Sequence, residues 1–142
     1  MAYAVDTKVP VSQTQGEIRT LVNKNGADRF AVVEERARVQ IAFQMRDRNI
    51  RFSIPMPERK PGESTAEANR REKVSRSRWR ALLLVLKAKF ESIEANIETF
   101  EQSFLAHVQM PSGRTVYEEL KAPIALEYQN PTGVPLLEGP RT

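Results

Sequence analysis

Between Gly62 and Pro111 the chain contains neither glycine nor proline. Within that span Trp79, Leu83, Leu86, Phe90, Ile93, Ile97, Phe100 and Phe104 recur at steps of 4, 3, 4, 3, 4, 3 and 4 residues. That period is a heptad stripe and predicts one amphipathic helix. Ser64 and Glu67 have the spacing of a capping box at its start. A helix over 65–102 would be about 57 Å long, more than the diameter of a compact domain of this size. Such a helix must break, project, or find a partner in a second subunit. The last option predicts a homo-oligomer, with Phe90, Ile93 and Ile97 near the contact. The apolar run around Leu82–Leu86 predicts a helix middle buried on several sides.

The remaining patterns predict an α+β fold in one domain over residues 1–142. Residues 1–13 read as an extended arm. Thr14 and Glu17 suggest a second capping box, followed by a helix over about 15–25 that ends at Gly26. Phe30 and Val32, then Val39, Ile41, Phe43 and Met45, then Ile50, Phe52 and Ile54 each alternate. A period of two places each set on one face of a three-stranded antiparallel meander. Arg46–Asn49 reads as the turn before its last strand, and Pro55 and Pro57 end the pairing. Residues 57–64 read as a flexible basic loop. His107–Met110 reads as a short strand or a helix end, followed by a turn at Pro111–Gly113. Thr115 and Glu118 predict a short helix over about 116–121. Beyond it Ile124, Leu126 and Tyr128 alternate, and 129–142 reads as an extended tail.

Charge points to a class of partner. Net charge is only +4, but residues 29–80 hold 14 basic and seven acidic side chains, while 81–142 hold five and eight. A basic block of this kind generates a field that attracts polyanions. Arg38, Gln40, Gln44 and Arg46, with Arg51 and Ser53, share the polar face of the sheet; Arg36 and Arg48 sit at its turns. Arg59 and Lys60 lie in the loop. Arg70, Arg71, Lys73, Arg76, Arg78 and Arg80 form a dense run opposed only by Glu72. This run occupies the N-terminal half of the long helix and the acids its C-terminal half, the reverse of what the helix macrodipole favours. A demand other than helix stability is implied, and a negatively charged ligand is the simplest. Trp79 lies inside the run. It can stack on bases beside phosphate-binding arginines, or it can pack in the core as the first residue of the stripe.

Several chemistries find no support. The chain has no cysteine and one histidine, which removes thiol catalysis, Cys-bound zinc and paired-His sites. No phosphate loop, dinucleotide fingerprint or nucleophile elbow occurs. Glu91, Glu94, Glu98 and Glu101 have metal-site spacing on a helix, but the Glu-x-x-His partner motif is missing, so they read as a solvated flank. No cofactor or metal is expected. The longest apolar run, Ala81–Leu86, is too short to span a membrane. The first residues lack the pattern of a secretory signal, which predicts a cytoplasmic protein.

The stretches RWRALLLVLKAKFE (78–91) and FLAHVQMPSGRTVYE (104–118), with TKVPV at 7–11, resemble small phage and prophage proteins, most without assigned function. The order helix, three strands, long helix also resembles the phage single-stranded-DNA-binding proteins that act as RNA polymerase cofactors. These resemblances imply a phage origin, action in the host bacterial cytoplasm, and phage RNA polymerase or replication proteins as further partners. Together with the charge pattern they give an expectation of non-catalytic single-stranded DNA binding. The expected contacts are Arg38, Arg46, Arg48, Arg51, Arg59, Lys60, Arg70, Arg71, Lys73, Arg76, Arg78, Trp79 and Arg80. The competing expectation is a protein-interaction module, a regulator of host machinery or a virion component, that uses the heptad stripe.

Overall fold

The computed structural model describes residues 5–129. It is an α+β fold in which a three-stranded antiparallel sheet packs its apolar face on helices. Helix α1 spans Val11–Lys24, and the strands are β1 (Arg29–Glu34), β2 (Arg38–Met45) and β3 (Arg48–Pro55). Helices α2 (Thr65–Glu94), α3 (Phe100–Phe104) and α4 (Val116–Tyr128) follow, with a short 3-10 turn over Leu105–His107.

Helix α1 begins a turn earlier than its sequence signal. Pro10 is the N-cap, and the expected box at Thr14 and Glu17 does not form. Val11 packs against the core, so tertiary contact adds a turn that local capping does not specify. Thr14 is fully buried within the helix instead. The C-terminus does follow the sequence. Gly26 has φ 98°, the Ala27 N–H donates to the Val22 carbonyl, and the Gly26 N–H donates to Asn23. This is the Schellman arrangement, in which the left-handed residue is ordinarily glycine.

The meander runs β1-β2-β3, with Ile41 opposite both Val32 and Phe52. Val39, Ile41, Phe43, Met45, Ile50 and Phe52 are buried on one face, as their alternation predicts. The β2–β3 turn is tighter than expected. Arg46 and Asp47 alone form it, with φ 51° and 61°, and Arg48 already pairs with Met45. A two-residue turn with both φ positive matches the twist of a hairpin.

Helix α2 opens on the predicted capping box, with the Glu67 N–H donating to Ser64 Oγ at 3.1 Å. It is about 45 Å long and stops well before residue 102. Asn96 takes φ 59°, and the Ile97 N–H closes back onto the Ser92 carbonyl at 2.9 Å. Asparagine substitutes for glycine at this kind of stop because its side chain tolerates the left-handed region. Thr99 and Gln102 then cap α3. The chain turns, and the second part of the stripe folds back onto the same core. Phe104 is wholly buried, with the rings of Phe90, Phe100 and Phe43 centred 5.2, 5.3 and 5.8 Å away.

This break changes the reading of the heptad stripe. Trp79, Leu83, Leu86, Phe90, Phe100 and Phe104 are buried within one chain, and Ile93 packs partly against them. Ile97, at the corner, is 77% exposed. Phe90 is therefore not a surface residue. The helix middle is buried on several sides, as expected, at Leu82, Leu83 and Leu86, while Val85 is 44% exposed. The acidic series does not share one helix either: Glu98 accepts from Ser92 Oγ, and Glu101 pairs with Arg48.

Val108 bridges to Ile50 and Gln109 to Thr115, so the short-strand reading of 107–110 holds at these two positions. Helix α4 starts at its predicted Thr115–Glu118 box but continues past 121 through Pro123. The alternation of Ile124, Leu126 and Tyr128 is therefore not a strand. None of its residues is buried. The expected arm keeps residues 5–10 outside any helix, while 11–13 belong to α1. The rest of the arm, and the C-terminal tail apart from Gln129, lie outside the described residues.

Candidate nucleic-acid interface

The basic side chains fall into two groups, those committed to partners within the fold and those without one. Most of the sequence-predicted contacts are committed. Arg80 Nη1 donates to Glu17 Oε2 at 2.5 Å, which clamps α2 to α1. Arg78 donates to the Pro55 carbonyl and ties α2 to the end of β3. Arg71 Nη2 donates to Glu63 Oε1 at 2.6 Å and its Nε to the same carboxylate at 3.2 Å, which fastens the 57–64 loop to α2. The hydrogen bond from Arg71 holds the Glu63 carboxyl below its usual range, and the same bond raises Arg71. Arg51 pairs with Glu118 and donates to the Gly113 carbonyl at 3.2 Å, which holds the start of α4 against the sheet. Arg38 meets Glu35 at 2.6 Å. Arg48 meets Glu101 at 3.3 Å, Arg46 lies 5.2 Å from the centre of the Phe100 ring, and Lys73 is 4.0 Å from Asp6.

Trp79 is 2% exposed. Its ring belongs to the core, in line with Leu83 and Leu86, and it cannot serve as a stacking platform.

Arg59, Lys60, Arg70 and Arg76 have no ion-pair partner among the described residues. Three of them converge. A cleft of about 590 Å³ opens where the β1–β2 turn, the chain leaving β3, the start of α1 and residues 71–79 of α2 meet; Arg36, Arg59, Arg71 and Arg76 line it. A shallower cleft of about 620 Å³ continues across the first turn of α2 and is lined by Arg36, Arg59 and Lys60. Arg36 and Arg59 line both, so the two clefts form one trough. Arg76 Nε lies buried with no hydrogen-bond partner among the described residues. A buried, unanswered donor on a cation is costly and favours an acceptor at that place. The trough also holds acids. Glu35 is answered by Arg38 and Glu63 by Arg71, which leaves Glu34 and Glu72. Arg36 carries its own partner, Glu58 at 2.6 Å, and its side chain is 79% exposed. Sequence reasoning placed Arg36 at a turn without assigning it a contact.

Beside the trough lies the polar face of the sheet, with Arg38, Gln40, Gln44, Arg51 and Ser53 as expected. Its β3 side is bordered by a cleft of about 480 Å³ lined by Arg38, Arg51, Ser53, His107, Tyr117 and Glu118. Arg46 and Arg48 lie at the far end of the sheet, about 23 Å from Arg38 along β2. The structure thus brings Arg59, Lys60, Arg71 and Arg76 together and leaves Arg46, Arg48 and Arg80 elsewhere. Among the described residues no helix is long and apolar enough to cross a membrane, and no three His, Asp or Glu side chains converge as metal ligands. No protein-family model, curated protein or solved structure matches the chain.

Proposed function

We propose that the protein binds single-stranded DNA without catalysis, as a phage protein acting in the host bacterial cytoplasm during replication, recombination or transcription. The observation that carries this reading is the trough in which Arg59, Lys60 and Arg76 converge with no ion-pair partner among the described residues, although Glu34 and Glu72 also line it. A positively charged groove that tracks a flexible backbone is the usual device for sequence-tolerant strand binding. Trp79 borders the trough but its ring is only 2% exposed, so phosphate contacts supply most of the affinity. Amides on the neighbouring sheet face, Gln40 and Gln44, can accept and donate to bases of any identity. Binding is therefore steeply salt-dependent. The test is fluorescence anisotropy of labelled oligothymidine at low and moderate salt, with a duplex of equal length as comparator. Saturable binding that salt reverses, and that the duplex does not match, supports the reading. No binding to either at low salt removes it.

A second reading, a protein-interaction module, is favoured by one observation. Helix α4 exposes Tyr117, Leu120, Ile124, Leu126 and Tyr128, and buries none of its residues in the fold. The heptad stripe itself no longer supports that reading, because it forms the core.

A further inference from the structure

The cleft of about 480 Å³ beside β3 differs from the trough in its charge. Arg38 and Arg51 line it, but each is already answered, Arg38 by Glu35 and Arg51 by Glu118, which lines the cleft itself. A phosphate would meet no unanswered cation there and would lie beside a carboxylate. The lining suits a ligand that is uncharged, flat and polar at its edge, and the volume is in the usual range of small-ligand sites. Two rings border the cleft. Tyr117, in the first turn of α4, is 54% exposed. His107 is half-buried, and Phe52 covers one face of its imidazole at 3.8 Å with 17° between the planes. His107 therefore offers the cleft its edge or its other face. The carboxylate is only half used. Glu118 Oε1 accepts from Arg51 Nη2 and, at 2.7 Å, from the Thr115 N–H, whereas Oε2 accepts from no described residue. The cleft and the trough meet at one ion pair, since Glu35 lines the trough and holds Arg38, which lines the cleft.

We infer that this cleft holds one base of the bound strand, and that it favours a base with an exocyclic amino group, such as cytosine, over thymine. The inference rests on the strand binding proposed above. Phosphates lie along Arg59, Lys60 and Arg76, and one nucleotide turns its base past Arg38 into the cleft. Bases of a single strand can be splayed out onto aromatic side chains, and stacking itself accepts any base. The preference comes from the edge of the ring. Glu118 Oε2 is an acceptor without a donor, and the cytosine amino group supplies one. Thymine carries a carbonyl oxygen at the same ring position, so two acceptors would face each other. Arg51, bonded to the same carboxylate, donates beside it. The Arg51–Glu118 pair thus presents a donor and an acceptor side by side, which matches the mixed edge of an amino-bearing base. The trough reads charge and the cleft reads the base.

The test uses the full chain with a short oligothymidine and with the same oligomer carrying one central cytidine. Anisotropy gives the affinities, and circular dichroism checks that variants fold. His107 is the only histidine, so its imidazole proton resonances report on the cleft without a label. Binding is expected to shift them, and the cytidine oligomer is expected to bind about three- to tenfold tighter, the worth of one hydrogen bond. Tyr117→Ala should weaken the cytidine oligomer at least about fivefold. Glu118→Gln keeps the capping box, which accepts glutamine at this position, and should abolish the cytidine preference. It serves as the second variant if Tyr117→Ala does not fold. Strand binding that leaves the His107 resonances in place, or that keeps its affinity in folded Tyr117→Ala, would overturn the cleft assignment and leave the trough standing. Equal wild-type affinity for the two oligomers, or a cytidine preference that survives Glu118→Gln, would overturn the amino-group preference. No binding of either oligomer would remove the strand reading and this inference together.

Discussion

The two ends of the sheet carry the same kind of residue and use it differently. At the β2–β3 end, Arg46 lies over the Phe100 ring and Arg48 meets Glu101, both supplied by the chain that folds back after α2. At the β1–β2 end, Arg59, Lys60 and Arg76 converge with no acid paired to them among the described residues. Arginine content therefore says little about ligand binding by itself. What matters is whether the fold brings a carboxylate or a ring to the guanidinium. Exposed pairs contribute little to stability; at the β2–β3 end the Arg48 charge is answered by Glu101 and the Arg46 guanidinium is held over a ring.

The largest expected effect concerns Trp79, which packs in the core and borders the trough from below. Trp79→Ala should cost about 3–5 kcal/mol of stability in denaturant unfolding, as large-to-small changes in a packed core do. Its effect on DNA affinity, measured on the folded fraction, should be small. A loss of affinity with stability intact would make Trp79 part of the binding surface of the trough.

A smaller effect is expected at the β2–β3 end. Arg46→Ala with Arg48→Ala should change oligothymidine affinity less than twofold and stability by less than about 1 kcal/mol, since both contacts are exposed. A larger loss of affinity would show that the strand runs the full length of the sheet and that the two ends act together.

The smallest effect is a pH dependence beside the sheet. His107 stacks on Phe52, with ring centres 3.8 Å apart. Burial, and then the charge of Lys89, lower its pKa from the usual 6.5. The folded protein thus resists a proton that the unfolded chain accepts. Stability from this source is fully present above pH 6.5 and declines as pH falls through the lowered value. Thermal midpoints should fall modestly between pH 7.5 and 5.5, and His107→Gln should flatten that fall. At the trough the lowered Glu63 carboxyl acts below the usual 4.5, so its pairing with Arg71 is lost only at strongly acid pH.

Much of the fold is legible in local patterns because the physics there is local. The alternation through Val39–Met45 and Ile50–Ile54 fixes faces, and the boxes at Ser64 and Thr115 fix helix starts. The failures are places where distant contact decides. The heptad steps continue through Ala95–Thr99 as if unbroken, yet Asn96 turns the chain so that Phe104 meets Phe90 and Phe43. Asn96 was the available signal, but an asparagine inside a regular stripe is weak evidence of a stop. Thr14 and Glu17 have box spacing, and Glu17 instead answers Arg80, 63 residues away. The same limit governs the interface. Sequence marks which residues are cationic, but only the fold reveals that Arg51, Arg71 and Arg80 are tied to Glu118, Glu63 and Glu17 while Arg59, Lys60 and Arg76 are not.

The most direct test is the salt dependence of oligothymidine binding, measured for the wild type, for Arg46→Ala/Arg48→Ala, and for Arg59→Ala/Lys60→Ala/Arg76→Ala. Each phosphate neutralised on a single strand contributes about −0.7 to the slope of log affinity against log salt. Removal of the three trough cations should make that slope shallower by about two units, while the pair at the β2–β3 end leaves it unchanged. Equal slopes for all three proteins, or a loss confined to the Arg46/Arg48 variant, would contradict the assignment of the trough as the strand-binding surface.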